Sequence, residues 1–157
     1  MAKFFTVAHR HQAEKQFGAG QSTVVAKRAA AAARRQLLML PLEQHHAFAH
    51  ITLHFEEDLR KPVHGVFLDE YHSPAALTKL LLRAIDRPGT EPMLSKSDDG
   101  DWAVVIQTWI GSPIGYQPQG QQHLDLAYLR LIVDLNGDLI TANPAASYQL
   151  PGNQVQV

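Results

Sequence analysis

The dipeptide Asn136-Gly137, set within Asp134 to Asp138, constrains this chain more than any other feature. Asn-Gly accepts the positive φ that a tight hairpin turn demands, so the apolar runs on either side are predicted to pair as antiparallel strands. The run before the turn is LAYLRLIVDL (126–135). The run after it starts at Leu139, reaches Ala142 and is expected to stop at Pro144, which cannot donate to a ladder. WAVVIQTWI (102–110), ended by GSPIG, reads as a further strand, and QPQGQQ from Gln117 to Gln122 reads as a loop.

Upstream of residue 102 the spacing is helical. FGAGQST is a joint, and Ser22 or Thr23 can cap a helix starting just beyond it. Val24 to Leu40 is rich in alanine, arginine and leucine, all good helix formers. Its polar side is Lys27, Arg28, Arg34 and Arg35, which suits a solvated linker helix or an arm touching phosphate. Pro41 ends or kinks it. Residues 42–59 are predicted as a second helix, with Phe48, Ile51, Phe55 and Leu59 on its apolar face. Lys61-Pro62 breaks that helix, and Val63 to Leu68 reads as a short strand. Ser73-Pro74 starts a helix to about Ile85, burying Leu77, Leu80, Leu81 and Ile85, with Arg83 and Arg87 at its C-terminal end. Residues 86–101 read as loop and residues 1–20 as irregular.

Helices followed by a β-meander define the α+β class: N-terminal helices packed on a C-terminal antiparallel sheet. The expected division is a basic segment with a linker helix at 1–41, one folded domain at 42–145 and a polar tail at 146–157. A length of 157 residues supports one core. No apolar run reaches the length of a membrane span, and MAKFFTVAHRHQ lacks the apolar core expected of a signal peptide. The chain has no cysteine, so disulfide and thiolate chemistry are excluded and any metal would need His and carboxylate ligands.

The net charge of −1 hides an asymmetry. Residues 1–40 carry seven Lys/Arg against one acid, whereas residues 41–157 carry seven against fourteen. The acidic body argues against a general nucleic-acid binder. It leaves room for an enzyme that concentrates a few cations in one cleft, or for a non-enzymatic protein-binding module with an acidic surface.

His45 to Asp69 holds five of the nine histidines. His46, His50 and His54 recur at i, i+4 and i+8, which puts them along one helix face. With Glu56, Glu57 or His64 nearby, a histidine-rich metal site is one reading. The H-E-x-x-H pattern is absent, however, and three parallel rings do not converge, so no metal or cofactor is expected. The other reading is acid/base chemistry. Cleavage of RNA by its own 2′-hydroxyl needs a base, a charge partner for the phosphorane and an acid for the leaving oxygen. Histidine suits the first and last roles because its pKa lies near neutrality. His50, Lys61 (or Arg60) and Thr141 offer a base, a cation and a hydroxyl donor, and His64 is a second acid/base candidate. Lys79, also downstream of His50 and His64, sits inside a helix pattern, the wrong context for a partner.

The segments HAFAHITLH, VFLDEYHSPAALTKLLLRAI, IGSPIGY and DLNGDLITANP resemble the ribonuclease domains that end bacterial polymorphic toxins of the contact-dependent growth inhibition type. The likeness spans about residues 42–145 and is to the disulfide-free group that folds like RNase A, within the wider barnase, EndoU, colicin and RelE kinship. The resemblance implies metal-independent cleavage of RNA, often tRNA, to a cyclic phosphate. It implies a cognate immunity protein and delivery to a target cell's cytoplasm as part of a larger secreted protein. The helix histidine of that group falls on His50, its cation on Lys61 and its closing-strand threonine on Thr141. The closing motif of the group reads T-A-Y-P, whereas here Asn143 takes the aromatic position. Its amide can donate a hydrogen bond but cannot stack on a base.

Overall fold

The computed structural model describes residues 10–61, 64–97, 99–119 and 122–146. Expectations for residues 1–9, Pro62, Val63, the middle of the QPQGQQ segment and residues 147–157 lie outside the described residues. The fold is α+β, with helices leading and antiparallel strands following. The helices are α1 (Arg10–Phe17), α2 (Gln21–Met39), α3 (Phe48–Ile51) and α4 (Pro74–Asp86). The strands are β1 (Val66–Phe67), β2 (Met93–Lys96), β3 (Trp102–Trp109), β4 (Gly115–Gln119), β5 (Gln122–Leu126), β6 (Tyr128–Asp134) and β7 (Leu139–Ala145). No described helix is long and apolar enough to cross a membrane.

The strands form a four-stranded sheet in the order β2-β3-β6-β7 and a three-stranded sheet in the order β1-β4-β5. The Asn136-Gly137 turn joins β6 to β7 as the sequence predicts. Asp134 stabilises it by accepting from the backbone N–H groups of Asn136 and Asp138 at 2.8 and 2.9 Å. Gly137 has φ +89°, and a Cβ there would lie 2.6 Å from Ala32 Cβ. Glycine is therefore required both by the turn and by its packing on α2.

One face of the four-stranded sheet carries Val104, Ile106, Leu129, Leu131, Val133 and Ala142, which form the main core with Leu77, Leu80 and Leu81 of α4 and Ile51 of α3. Ser73 caps α4 by accepting from the Ala76 N–H at 3.2 Å, and Pro74 occupies the first turn. The alanines of α2 also enter this core: Ala26, Ala29, Ala30 and Ala33 are buried together with Leu37. The helix expected as a solvated linker is thus a core helix, because small side chains let its backbone approach the sheet closely. Ala13 of α1 is fully buried and Phe17 meets Trp102 edge-on at 5.5 Å, so residues 10–17 are neither irregular nor apart from the core.

Four further expectations are corrected. The single helix over 42–59 is instead a 3-10 turn (Leu42–Gln44), the four-residue α3 and a second 3-10 turn (Thr52–Phe55). The loop over 86–101 contains β2, and the Gln117–Gln122 loop is a hairpin formed by β4 and β5. Pro144 does not stop β7, which is an edge strand that pairs through Ala145 opposite Tyr128. An edge position tolerates a residue without an N–H.

Candidate active site

The switch from α3 to a 3-10 turn decides how the histidines are aimed. Four residues advance about 40° past a full turn in an α-helix but about 120° past one at three residues per turn. His50 therefore faces solvent, whereas His54 turns inward against the segment around Gly65. His54 Nδ1 lies 2.8 Å from the Gly65 carbonyl oxygen. A carbonyl can only accept, so Nδ1 carries the hydrogen and Nε2 keeps its lone pair. His64 stacks on His54 with centroids 4.6 Å apart and planes at 17°. His64 is buried, and its Nε2–H is shared between the carbonyls of Leu53 (3.1 Å) and Glu56 (2.9 Å).

Gly65 is fixed from behind by β7. A Cβ on it would lie 2.4 Å from the Pro144 carbonyl oxygen, so only glycine lets this backbone approach. His50 meets His54 edge-on at 6.2 Å. Burial, partly offset by the bond to Gly65, pushes the His54 pKa down to about 4, with His64, His50 and Lys61 adding to the fall. Partial burial, and then the Lys61 ammonium, lowers the pKa of His50 as well. His50 is thus an exposed imidazole kept neutral beside a cation, the state a general base needs.

The sequence candidates separate into two groups. His50, Lys61 and His64 belong to one cluster, joined by His54, which the sequence marks only as a helix-face neighbour. Arg60 is taken up by Asp58, through Nε at 3.1 Å and the second guanidinium nitrogen at 3.3 Å. His64 is not presented to solvent as an acid/base group would be; its imidazole ties the 53–64 loop to itself. Thr141 and Asn143 point elsewhere. Ala142 faces the main core shared with Ile51 of α3, while Thr141 and Asn143 stand on the opposite face, across from Ile132 and Arg130. A bulge between Ile132 and Val133 places Ile140 and Thr141 on that same outer face. The Thr141 hydroxyl is buried there with no hydrogen-bond partner among the described residues. The Asn143 amide donates to its neighbour's carbonyl, Pro144 O, at 3.0 Å.

That outer face carries a buried polar row that sequence reasoning missed: Gln107, Arg130 and Asn143 stand side by side on β3, β6 and β7. Burial alone lowers the Arg130 pKa to about 10. The signal was present as an arginine and a glutamine inside otherwise apolar strand runs. Among the described residues no three His, Asp or Glu side chains are grouped to hold a metal ion, because His46, His50 and His54 no longer share one helix face. No family model, curated protein or solved structure matches the chain.

Proposed function

We propose that this protein is a metal-independent endoribonuclease whose reaction centres on His50 and Lys61. The observation that carries the reading is an exposed imidazole, lowered in pKa by partial burial and by Lys61, set edge-on to the stacked His54–His64 pair. In this reading His50 Nδ1 or Nε2 takes the proton of a ribose 2′-hydroxyl. The 2′-oxygen bonds to phosphorus, the bond from phosphorus to the 5′-oxygen breaks, and a 2′,3′-cyclic phosphate remains. The leaving 5′-oxygen takes a proton from water. Lys61 offsets the charge gathered on the phosphorane oxygens. His54 and His64 position the segment that carries Lys61.

The resemblance to toxin domains supports the same reading. It adds that the substrate is tRNA or another RNA, that the domain acts after delivery into a target cell, and that a producing cell keeps a cognate immunity protein to survive it. The test is incubation of the protein with tRNA and a single-stranded RNA, with and without chelator. Chelator-resistant cleavage lost in His50→Ala supports the reading, and no cleavage by the wild-type chain overturns it. The placement of Thr141 and Asn143 away from His50 favours a second reading, a non-catalytic binding module using the acidic body. Absence of cleavage with retained capture of a partner protein would select it.

A further inference from the structure

A cleft of about 280 Å³ opens where α4 ends and β3 ends, away from the histidine cluster in sequence and in bonding. Arg87, Thr90, Gln107, Thr108, Trp109 and Tyr128 line it. Trp109 is 51% exposed, although it ends a strand whose preceding residues are almost all buried. Large aromatic rings left in water at a concave site are a feature of ligand and nucleic-acid surfaces rather than of cores. The Arg87 guanidinium lies over the indole at 5.3 Å from its centroid. A planar cation held on an aromatic face stacks on heteroaromatic rings and binds anionic oxygens.

Arg87 is the one cation among the described residues that line the cleft, and the helix end beside it is partly screened. The C-terminal carbonyls of a helix normally repel negative charge. Here the Ala84 carbonyl of α4 accepts from Thr90 Oγ1 at 3.2 Å and from Thr108 Oγ1 at 3.3 Å, so its lone pairs are already occupied. Asp86, beside Arg87 in sequence, is turned to Arg34 Nε at 2.7 Å. Glu91 is exposed and does not line the cleft. A second guanidinium, that of Arg83, bonds the Ile110 carbonyl at 3.0 Å, one residue beyond Trp109. The volume lies just below the usual range of ligand sites, enough to hold part of a nucleotide with the rest left in solvent.

We infer that the Arg87–Trp109 cleft binds a nucleotide, stacking its base on the Trp109 indole and placing its phosphate on Arg87. The nucleotide comes either from solution or as one unit of a single-stranded RNA. Only the RNA source rests on the ribonuclease reading.

The experiment uses the full chain with Trp102→Phe, which leaves Trp109 as the only indole. Fluorescence is titrated with AMP, with UMP and with a 2′-O-methylated oligonucleotide, which lacks the hydroxyl needed for self-cleavage. Calorimetry repeats the titrations on the native chain and on Trp109→Ala and Arg87→Gln. A saturable signal with a mononucleotide, weakened roughly ten- to a hundredfold by Trp109→Ala, supports the site and the free source. A saturable signal with the oligonucleotide alone, equally sensitive to both variants, supports the site and the strand source. Both variants should melt like the parent, because their side chains lie outside the core. No saturable signal with any of the three ligands, or native affinity in both variants, overturns the site. Nucleotide binding without RNA cleavage would remove the ribonuclease reading and leave the cleft standing. Cleavage without binding here would do the reverse.

Discussion

The four-stranded sheet with α4 and the segment from His45 to His72 are held by different kinds of bond. In the sheet, β3 and β6 pair over seven positions, Ala103 to Trp109 against Asp134 to Tyr128, and apart from Thr108, which bonds the Ala84 carbonyl, the side chains between them and α4 are mostly apolar. In the other region the regular elements are only two to four residues long. There, four imidazoles bond backbone carbonyls instead: His45 to Leu40, His54 to Gly65, His64 to Leu53 and Glu56, and His72 to Phe67. A histidine-rich stretch thus uses four of its six rings as cross-ties; of the other two, His46 and His50, only His50 lies against the His54–His64 stack. Imidazole ties carry a consequence that a backbone ladder does not. At His54 a gained proton would place charge in a largely buried position against the stacked His64 ring.

The largest effect expected from separating the two regions is on rate. His50→Ala should lower RNA cleavage by about two to four orders of magnitude, the scale of general acid–base catalysis, while leaving the thermal melt unchanged. Single-turnover assays with tRNA check this, and a coincident loss of melting temperature would show that His50 is another tie. On the sheet side, Leu81→Ala empties a fully buried position and should cost about 2–5 kcal/mol of global stability in denaturant titration. A change confined to residues 45–72 would break the distinction.

His64→Ala removes the donor shared by two carbonyls. It should cost about 1–3 kcal/mol, seen as faster amide exchange in residues 52–65 more than in β3 or β6. Uniform acceleration across the sheet would mean the two regions unfold as one. The pH dependence sharpens the same point. His54 has a folded pKa of about 4 against an ordinary 6.5, so the folded chain binds fewer protons between those values. Stability is therefore full above about 6.5 and falls as pH drops toward about 4. His54→Gln keeps an amide donor for Gly65 and does not titrate. It should flatten the fall in melting temperature without abolishing it, since His50 is lowered too. The smallest effect belongs to the exposed Arg34–Asp86 pair at 2.7 Å. Arg34→Ala should change stability by at most about 1 kcal/mol, and less in high salt.

Much of the fold could be read from local chemistry. The Asn136-Gly137 turn, the Ser73-Pro74 helix start, the strand at Trp102–Trp109 and the buried leucines of α4 all follow from period, capping and turn residues. These signals act over a few residues, so the sequence carries them whole. It also marked His50 and Lys61 as neighbours in chemistry, since both lie in one short stretch.

Relations between distant residues were beyond its reach. The α2 alanines looked like a solvated linker because alanine is compatible with water and core alike; only the approach of the Gly137 turn and the sheet makes them core. The helical period over 42–59 was real in sequence, but the need to bury Ile51 while bringing Leu53 and Glu56 to His64 breaks it into short turns. Thr141 and Asn143 are separated from His50 by a bulge and a pleat, and a strand's choice of face depends on its partner's register. Sequence determined the start of α4, the strand at β3 and the β6–β7 hairpin, because capping, side-chain period and turn chemistry are local. Tertiary structure decided which histidines bind backbone, which meet solvent and which candidates share a face, because burial and register belong to the whole chain.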